Sequence, residues 1–270
     1  MKLAILSDIH ANLEALQATL DRISVQGVDR IVCLGDIVGY NTNPAECIAL
    51  LRKFDPLCIA GNHDRAVSGQ ITTNGFSEIA ARAVAWTRPR LAADALAFLG
   101  GLPLQASIDG QLVLVHGALH PETGCELIPL DNDERRQLSF RALMAHASGA
   151  HICAFGHTHH FGIFELRGGV VRAHTDDQVS LLDDAYYLIN PGTVGQPRTA
   201  DRRATYLILD LARRTAAVQR VEYDISRTLA KTRKAGLLPP FSFLPIPIRN
   251  LLTYGVRVLG LYDFLKRRMG

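Results

Sequence analysis

Five short apolar runs, at residues 3–6, 31–34, 57–60, 112–115 and 152–155, each lead into polar side chains of the same restricted kind. The first leads to Asp8-Ile9-His10 and the second to Gly35-Asp36. The third leads to Gly61-Asn62-His63-Asp64, the fourth to His116-Gly117, and the fifth to Gly156-His157-Thr158-His159. Short runs without polar alternation read as strands buried on both faces. The sequence between the first three reads as helix. Residues 12–26 place Leu13, Leu16, Leu20 and Ile23 on one face, and a second helix starts near Pro44, a residue suited to a first helical turn. Helices are expected at 77–87 and 89–99, and strands again at 186–189, 205–209 and 217–223. Alternating strands and helices predict an α/β domain with much parallel pairing. The stretch 161–222 reads as a mostly β half of that domain, with Arg167-Gly168-Gly169 as a hairpin turn. Residues 117–150, helical over 132–147, are expected to cap the face where the loops gather.

In open α/β sheets ligands bind beyond the carboxyl edges of the strands, where these polar residues collect. The inventory is two carboxylates (Asp8, Asp36), one amide (Asn62) and four imidazoles (His10, His116, His157, His159). Such a mixture suits two divalent first-row ions of intermediate softness, Mn, Fe, Zn or Co. Calcium or magnesium would more often take oxygen donors alone. Paired ions about 3.5–4 Å apart need a shared anion, and Asp36 is the natural bridge because a carboxylate has two oxygens.

Bulk properties narrow the remaining classes. A net charge of +3 with 20% charged residues gives no basis for electrostatic capture of nucleic acid. The five cysteines are scattered, fit no thiolate zinc spacing and imply no disulfide framework. Cys33, Cys58 and Cys153 lie in apolar runs and read as buried free thiols, which fits a cytoplasmic protein. The opening MKLAILSDIH reads as a strand rather than a signal peptide, and no apolar run reaches the roughly 18 residues of a transmembrane helix.

The blocks SDIH, GDIVG, GNHD, VHG and GHTH, in this order, resemble those of the calcineurin-like metallophosphoesterases over roughly residues 1–220. NPGTVGQPR, at 190–198, is similar to a segment of the small bacterial and archaeal members. The resemblance implies a four-layer α/β/β/α sandwich with mixed sheets. It also implies two metal positions, one held by Asp8, His10, Asp36 and His159, the other by Asp36, Asn62, His116 and His157. His63 would then face the substrate as a catalytic group. The serine/threonine phosphatases of the family carry GDxVDRG, whereas this chain has Gly39-Tyr40 where their second Asp and the Arg-bearing end would begin. That departure argues against protein phosphatase activity and leaves the orienting partner of His63 open.

The activity this implies is hydrolysis of a small phosphodiester, phosphomonoester or dinucleoside polyphosphate by metal-activated water. A non-catalytic interaction scaffold and a nuclease of the same superfamily are the alternatives. Asn12 reads as a helix N-cap with a second role as a substrate contact, and Arg198 as a phosphate contact. His120, His146, His151, His160 and His174 read as surface or structural residues. Residues 224–270 form a helical extension expected to pack on the domain, on a partner or on a second copy. They contain no cluster of metal-binding residue types, and are expected to lie outside the chemistry from about Ser226.

Overall fold

A computed structural model describes residues 1–120 and 124–238. Residues 239–270 of the extension expected at 224–270 lie outside them. The first half runs β1 (Lys2–Leu6), α1 (Leu13–Ser24), β2 (Arg30–Cys33), α2 (Pro44–Phe54), β3 (Leu57–Cys58), α3 (Asn62–Ser68), α4 (Glu78–Thr87) and α5 (Ala93–Gly100). Then come β4 (Gln105–Ile108), β5 (Leu112–Val115), α6 (Asp133–Met144), β6 (Ile152–Ala154), β7 (Phe161–Arg167) and β8 (Val170–His174). The chain continues through β9 (Gln178–Ser180), β10 (Tyr186–Pro191), β11 (Ala204–Asp210), β12 (Thr215–Val221) and α7 (Ile225–Lys234).

The strands form two mixed sheets, ordered β3-β2-β1-β11-β12-β9 and β4-β5-β6-β10-β7-β8. The alternation of side chains along each strand explains the uninterrupted apolar runs. Leu3 and Ile5 of β1 enter an inter-sheet core with Leu112 and Leu114 of β5, Ile152 and Tyr187. Ala4 and Leu6 face the opposite way, onto Leu16 and Leu20 of α1 and Leu51 of α2. Val113 and Val115 leave the second sheet on its outer side and pack with Phe140 and Leu143 of α6. Three separate cores between four layers give the α/β/β/α sandwich. Residues 133–144, expected within a cap, form the fourth layer: Phe140 and Leu143 pack on the sheet, and the Ser139 hydroxyl accepts the Leu119 N–H of the loop after β5 at 3.2 Å.

Several local features depart from the sequence reading. Pro89 lacks an N–H, and the expected helix over 89–99 is a 3₁₀ turn at Arg88–Arg90 followed by α5. GNHD, the polar block after the third apolar run, opens α3, because the Asp64 carboxylate accepts the Gly61 N–H at 3.0 Å and caps the first turn. Edge strand β4 lacks an apolar run, being mostly exposed, and pairs antiparallel with β5. Gly168 and Gly169 make the hairpin turn between β7 and β8, both at positive φ. All five cysteines are free and buried. Among the described residues no helix is long and apolar enough to cross a membrane.

Candidate metal centre

The parallel strands β1, β2 and β3 of one sheet and β5 and β6 of the other deliver their carboxyl ends to one place. Around it Asp8, His10 and His159 bring donor atoms within 4.8 Å of one another, and so do Asp36, His116 and His157. Asp36 Oδ2 lies 3.5 Å from His10 Nε2 and 3.4 Å from His116 Nε2, so one oxygen faces both groups. Asn62 Oδ1 joins the second group at 3.2 Å from His116 Nε2 and 2.9 Å from His157 Nδ1. All seven residues expected as metal ligands are thus brought together.

Each carboxylate is anchored by one oxygen and aimed by the other. Asp8 Oδ2 accepts from the Ser7 hydroxyl at 2.6 Å and the His157 N–H at 3.1 Å, while Oδ1 is buried without a hydrogen-bond partner. Asp36 Oδ1 accepts the His63 N–H at 2.8 Å, which leaves Oδ2 inward. The imidazoles follow the same rule. His10 Nδ1 lies 3.1 Å from the Val38 carbonyl, His116 Nδ1 2.7 Å from that of Leu34, and His159 Nδ1 2.7 Å from that of Gln196. A backbone carbonyl only accepts, so each Nδ1 carries a proton and each Nε2 is the atom aimed inward, with a free lone pair where the ring is neutral. His10 Nε2 and His159 Nε2 then face each other at 3.1 Å. Opposed lone pairs and an orphaned carboxylate oxygen, all buried, are what a divalent cation would satisfy.

The electrostatics agree. Burial pushes His10 and His159 well below the ordinary imidazole range and His157 down to about 3, so these rings are neutral donors. Burial also raises Asp8 to about 6. Burial opposes a charge on His116 too, but Asp36 and Asp8 beside it outweigh this and raise it to about 10. The metal-free cluster therefore keeps a proton where a cation would sit. Metal uptake at pH 7 is expected to release that proton, and affinity is expected to rise as pH increases, because the proton and the metal compete for His116 Nε2. Calorimetric titration of apo-protein with Mn²⁺ in two buffers of different ionisation enthalpy measures the release. No release at pH 7 would contradict a charged His116.

Backbone strain marks the same residues. Asp8, His10, Asp36, His157 and His159 all have φ between 48° and 64°. Such conformations cost of order 1–3 kcal/mol each and persist only where surrounding structure holds them. One fully buried leucine contributes about 1.5–3 kcal/mol, so cores of this extent can carry the strain. Asp and His tolerate this region better than most residues, yet no motif announces it. Gly61 is required for a different reason, since a Cβ there would overlap the Asp36 carboxylate.

His63 is buried on α3, with a ring nitrogen within 4.8 Å of donor atoms of His10 and Asp36. Its Nδ1 has no hydrogen-bond partner. The ring is held by packing instead, against His10, Tyr40 and Phe76 at centroid distances of 4.9, 4.8 and 5.2 Å. Gly39, at φ 97°, makes room for it, because a Cβ at Gly39 would overlap His63 Nδ1. Among the described residues no carboxylate hydrogen-bonds His63 Nδ1. Asp64 is occupied elsewhere, accepting from the Ile37 and Val38 N–H groups at 2.9 and 3.2 Å and clamping the loop after β2.

Asn12 is buried at the start of α1. It is 1% exposed, accepts the Ala15 N–H at 3.1 Å as the α1 cap, and donates to the Gly195 carbonyl at 2.9 Å. Its capping role holds, and its amide is engaged by main-chain groups on both sides. Arg198 is exposed, and its positive charge acts on Tyr40, Asp8, His10, His63, His157 and His159. Sequence reasoning missed three supports. Asn190 donates to the Gly156 carbonyl at 2.8 Å, Thr193 Oγ1 donates to the Asp8 carbonyl at 2.8 Å, and Ser7 anchors Asp8. All three sit within the quoted motifs, and Ser7 lies beside its partner, but the partners of Asn190 and Thr193 are 34 and 185 positions away. Of the other histidines, His146 meets Gln105, His151 stacks on Tyr186 and His174 meets Glu165, while His120 and His160 are exposed.

Residues 1–214 match the family described as the calcineurin-like phosphoesterase superfamily domain. Uncharacterized protein MJ0912 of Methanocaldococcus jannaschii is 36% identical over 239 residues, spanning 87% of this chain and 93% of that protein. The crystal structure of a metallophosphoesterase from Sphaerobacter thermophilus is 35% identical, with a TM-score of 0.72 over 89% of this chain and 95% of that one. Hypothetical protein PH1004 from Pyrococcus horikoshii OT3, at 18% identity, shares the fold with a TM-score of 0.69 over 88% of this chain and 94% of its own. The ordered strand-end blocks, the four-layer sandwich and these matches agree, and this chain belongs to the calcineurin-like phosphoesterase superfamily.

Proposed function

We infer that the chain is a two-metal phosphoesterase that hydrolyses a small phosphate ester or anhydride. The observation that carries this is Asp36 Oδ2, shared between two donor groups at 3.5 and 3.4 Å. Asp8, His10, Asp36 and His159 would hold one ion, and Asp36, Asn62, His116 and His157 the other. When bound, Mn, Fe, Zn or Co ions would neutralise phosphoryl charge and lower the pKa of a water from 15.7 to roughly 7. The protein's own part is to hold the substrate between the ions and the rim. Arg198, whose charge already acts on Asp8, His10 and His63, binds a phosphate oxygen. His63 presents Nε2 to the leaving oxygen, since its Nδ1 is sealed against Gly39. Burial lowers the pKa of His63, and a phosphate anion bound beside it raises it again, so the proton is available when substrate is present.

The test is a metal-reconstituted activity screen with p-nitrophenyl phosphate, bis-p-nitrophenyl phosphate, cyclic nucleotides and diadenosine tetraphosphate. Hydrolysis of at least one, abolished by chelation and restored by metal, is expected. The last substrate is included because GDIVGYN and the chain length resemble bacterial hydrolases of such compounds. A protein carrying two ions but inert towards all of them would support the scaffold reading instead.

A further inference from the structure

We propose that α7 sets the affinity of one of the two metal positions, acting through Thr228 and Thr232 on the amides of Asn12 and Asn41. This rests on the two-metal reading above. The helix offers no metal donor, yet two of its threonines end a chain of buried hydrogen bonds that begins at His10 and His159.

Asn41 Nδ2 faces three oxygens: the His10 carbonyl at 2.9 Å, the Gly195 carbonyl at 3.4 Å and Gln196 Oε1 at 3.5 Å. That fixes the amide, so its Oδ1 meets the Thr232 hydroxyl at 3.1 Å and shares that hydroxyl's one hydrogen with the Thr228 carbonyl at 2.9 Å. Asn12 is arranged alike, with Nδ2 on the Gly195 carbonyl and Oδ1 accepting from Ala15 N and from the Thr228 hydroxyl at 3.1 Å. All four side chains are buried. Lys231, bonded to Glu14 at 2.7 Å, holds α7 against the start of α1.

These amides support the two histidines of one metal position. His10 and Ala11 lie at φ 48° and 54°, a strained pair that needs its carbonyl held. Asn41 holds the His10 carbonyl with both its side chain and its N–H, the latter at 3.2 Å. Gly195 leads directly to Gln196, whose carbonyl fixes His159 Nδ1. The other position shares Asp36 but has further braces of its own. Arg65 of α3 pairs with the buried Glu126 beyond β5, and His116 is fixed by Leu34. None of these bonds reaches α7. The segment after residue 226, expected to lie apart from the chemistry, thus acts on it as a positioning element.

Thr232→Val keeps the shape and removes the donor. Asn41 Oδ1 would be left buried without one, and an amide that turns to find a partner releases the His10 carbonyl. Orienting groups of this kind are worth about 10–100-fold in metal affinity. The experiment titrates apo full-length chain with Mn²⁺ and follows free Mn²⁺ by electron paramagnetic resonance. The wild type is expected to bind two ions, and Thr232→Val and Thr228→Val/Thr232→Val to weaken one step about tenfold or more. Thr232→Ser, which restores the hydroxyl, is expected to return that step to the wild-type value. If the double variant does not fold, the single variant and its serine rescue decide alone. Both steps unchanged in Thr232→Val, or both weakened equally, would overturn the proposal while leaving the two-metal reading intact. A wild type that binds fewer than two ions would overturn that reading and this proposal with it.

Discussion

Asp36→Asn is expected to lose both metal ions and about 10³-fold or more of its turnover, since metal charge stabilisation is worth several kcal/mol and each 1.36 kcal/mol is tenfold in rate. The fold should survive. The asparagine Oδ1 can still accept the His63 N–H that Asp36 Oδ1 accepts at 2.8 Å. What disappears is the negative Oδ2 that faces His10 and His116 together. His159→Ala provides the contrast, because His159 touches the Asp8 and His10 group and not the Asn62 and His116 group. Elemental analysis after dialysis should find about two ions in the wild type, about one in His159→Ala and fewer than one in Asp36→Asn. A full complement of two in Asp36→Asn would remove the shared carboxylate from the assignment.

His63→Ala is expected to keep both ions and lose about 10²–10⁴ in kcat, the range for a missing general acid. Its main-chain N–H still anchors Asp36, and its ring contacts are to His10, Tyr40 and Phe76 rather than to a carboxylate. The loss should be larger for alkyl phosphates than for p-nitrophenyl phosphate, whose leaving group departs without a proton. Equal losses on both would instead mean that the ring stabilises phosphoryl charge. Measuring kcat on both ester types, with metal content checked in each protein, separates these outcomes. Unchanged rates in a fully metallated variant would exclude His63 from the mechanism.

The strand-end blocks were legible because two signals coincide in them. A strand buried on both faces has no polar position, so its end is abrupt, and the residues just beyond it are the first free to carry chemistry. Leu3–Leu6 leading to Asp8 and Leu112–Val115 leading to His116 are readable for that reason. The short edge strands were not legible, since Gln105–Ile108 and Gln178–Ser180 are largely solvated and carry no run. The start of α3 was hidden as well. Its cap is Asp64, three residues inside the helix and reaching back to Gly61, in a block that reads as a turn. Asn12 was half legible: its capping role follows from its place before Leu13, and its burial under α7 does not.

The sequence by itself determined the α/β class, the donor inventory and the chain positions that bear it, because burial on two faces and metal-donor chemistry are both written in residue type. Tertiary structure decided the rest. The ligand set is drawn from the edges of two different sheets, and only the packing of Leu3 and Ile5 against Leu112 and Leu114 brings Asp36 within 3.4 Å of His116. Which oxygen of Asp36 faces inward depends on the His63 N–H, and which nitrogen of each histidine does so depends on carbonyls up to 82 residues away. Hydrogen bonds at that separation leave no local pattern, for their partners are chosen by the fold and not by their neighbours in the chain.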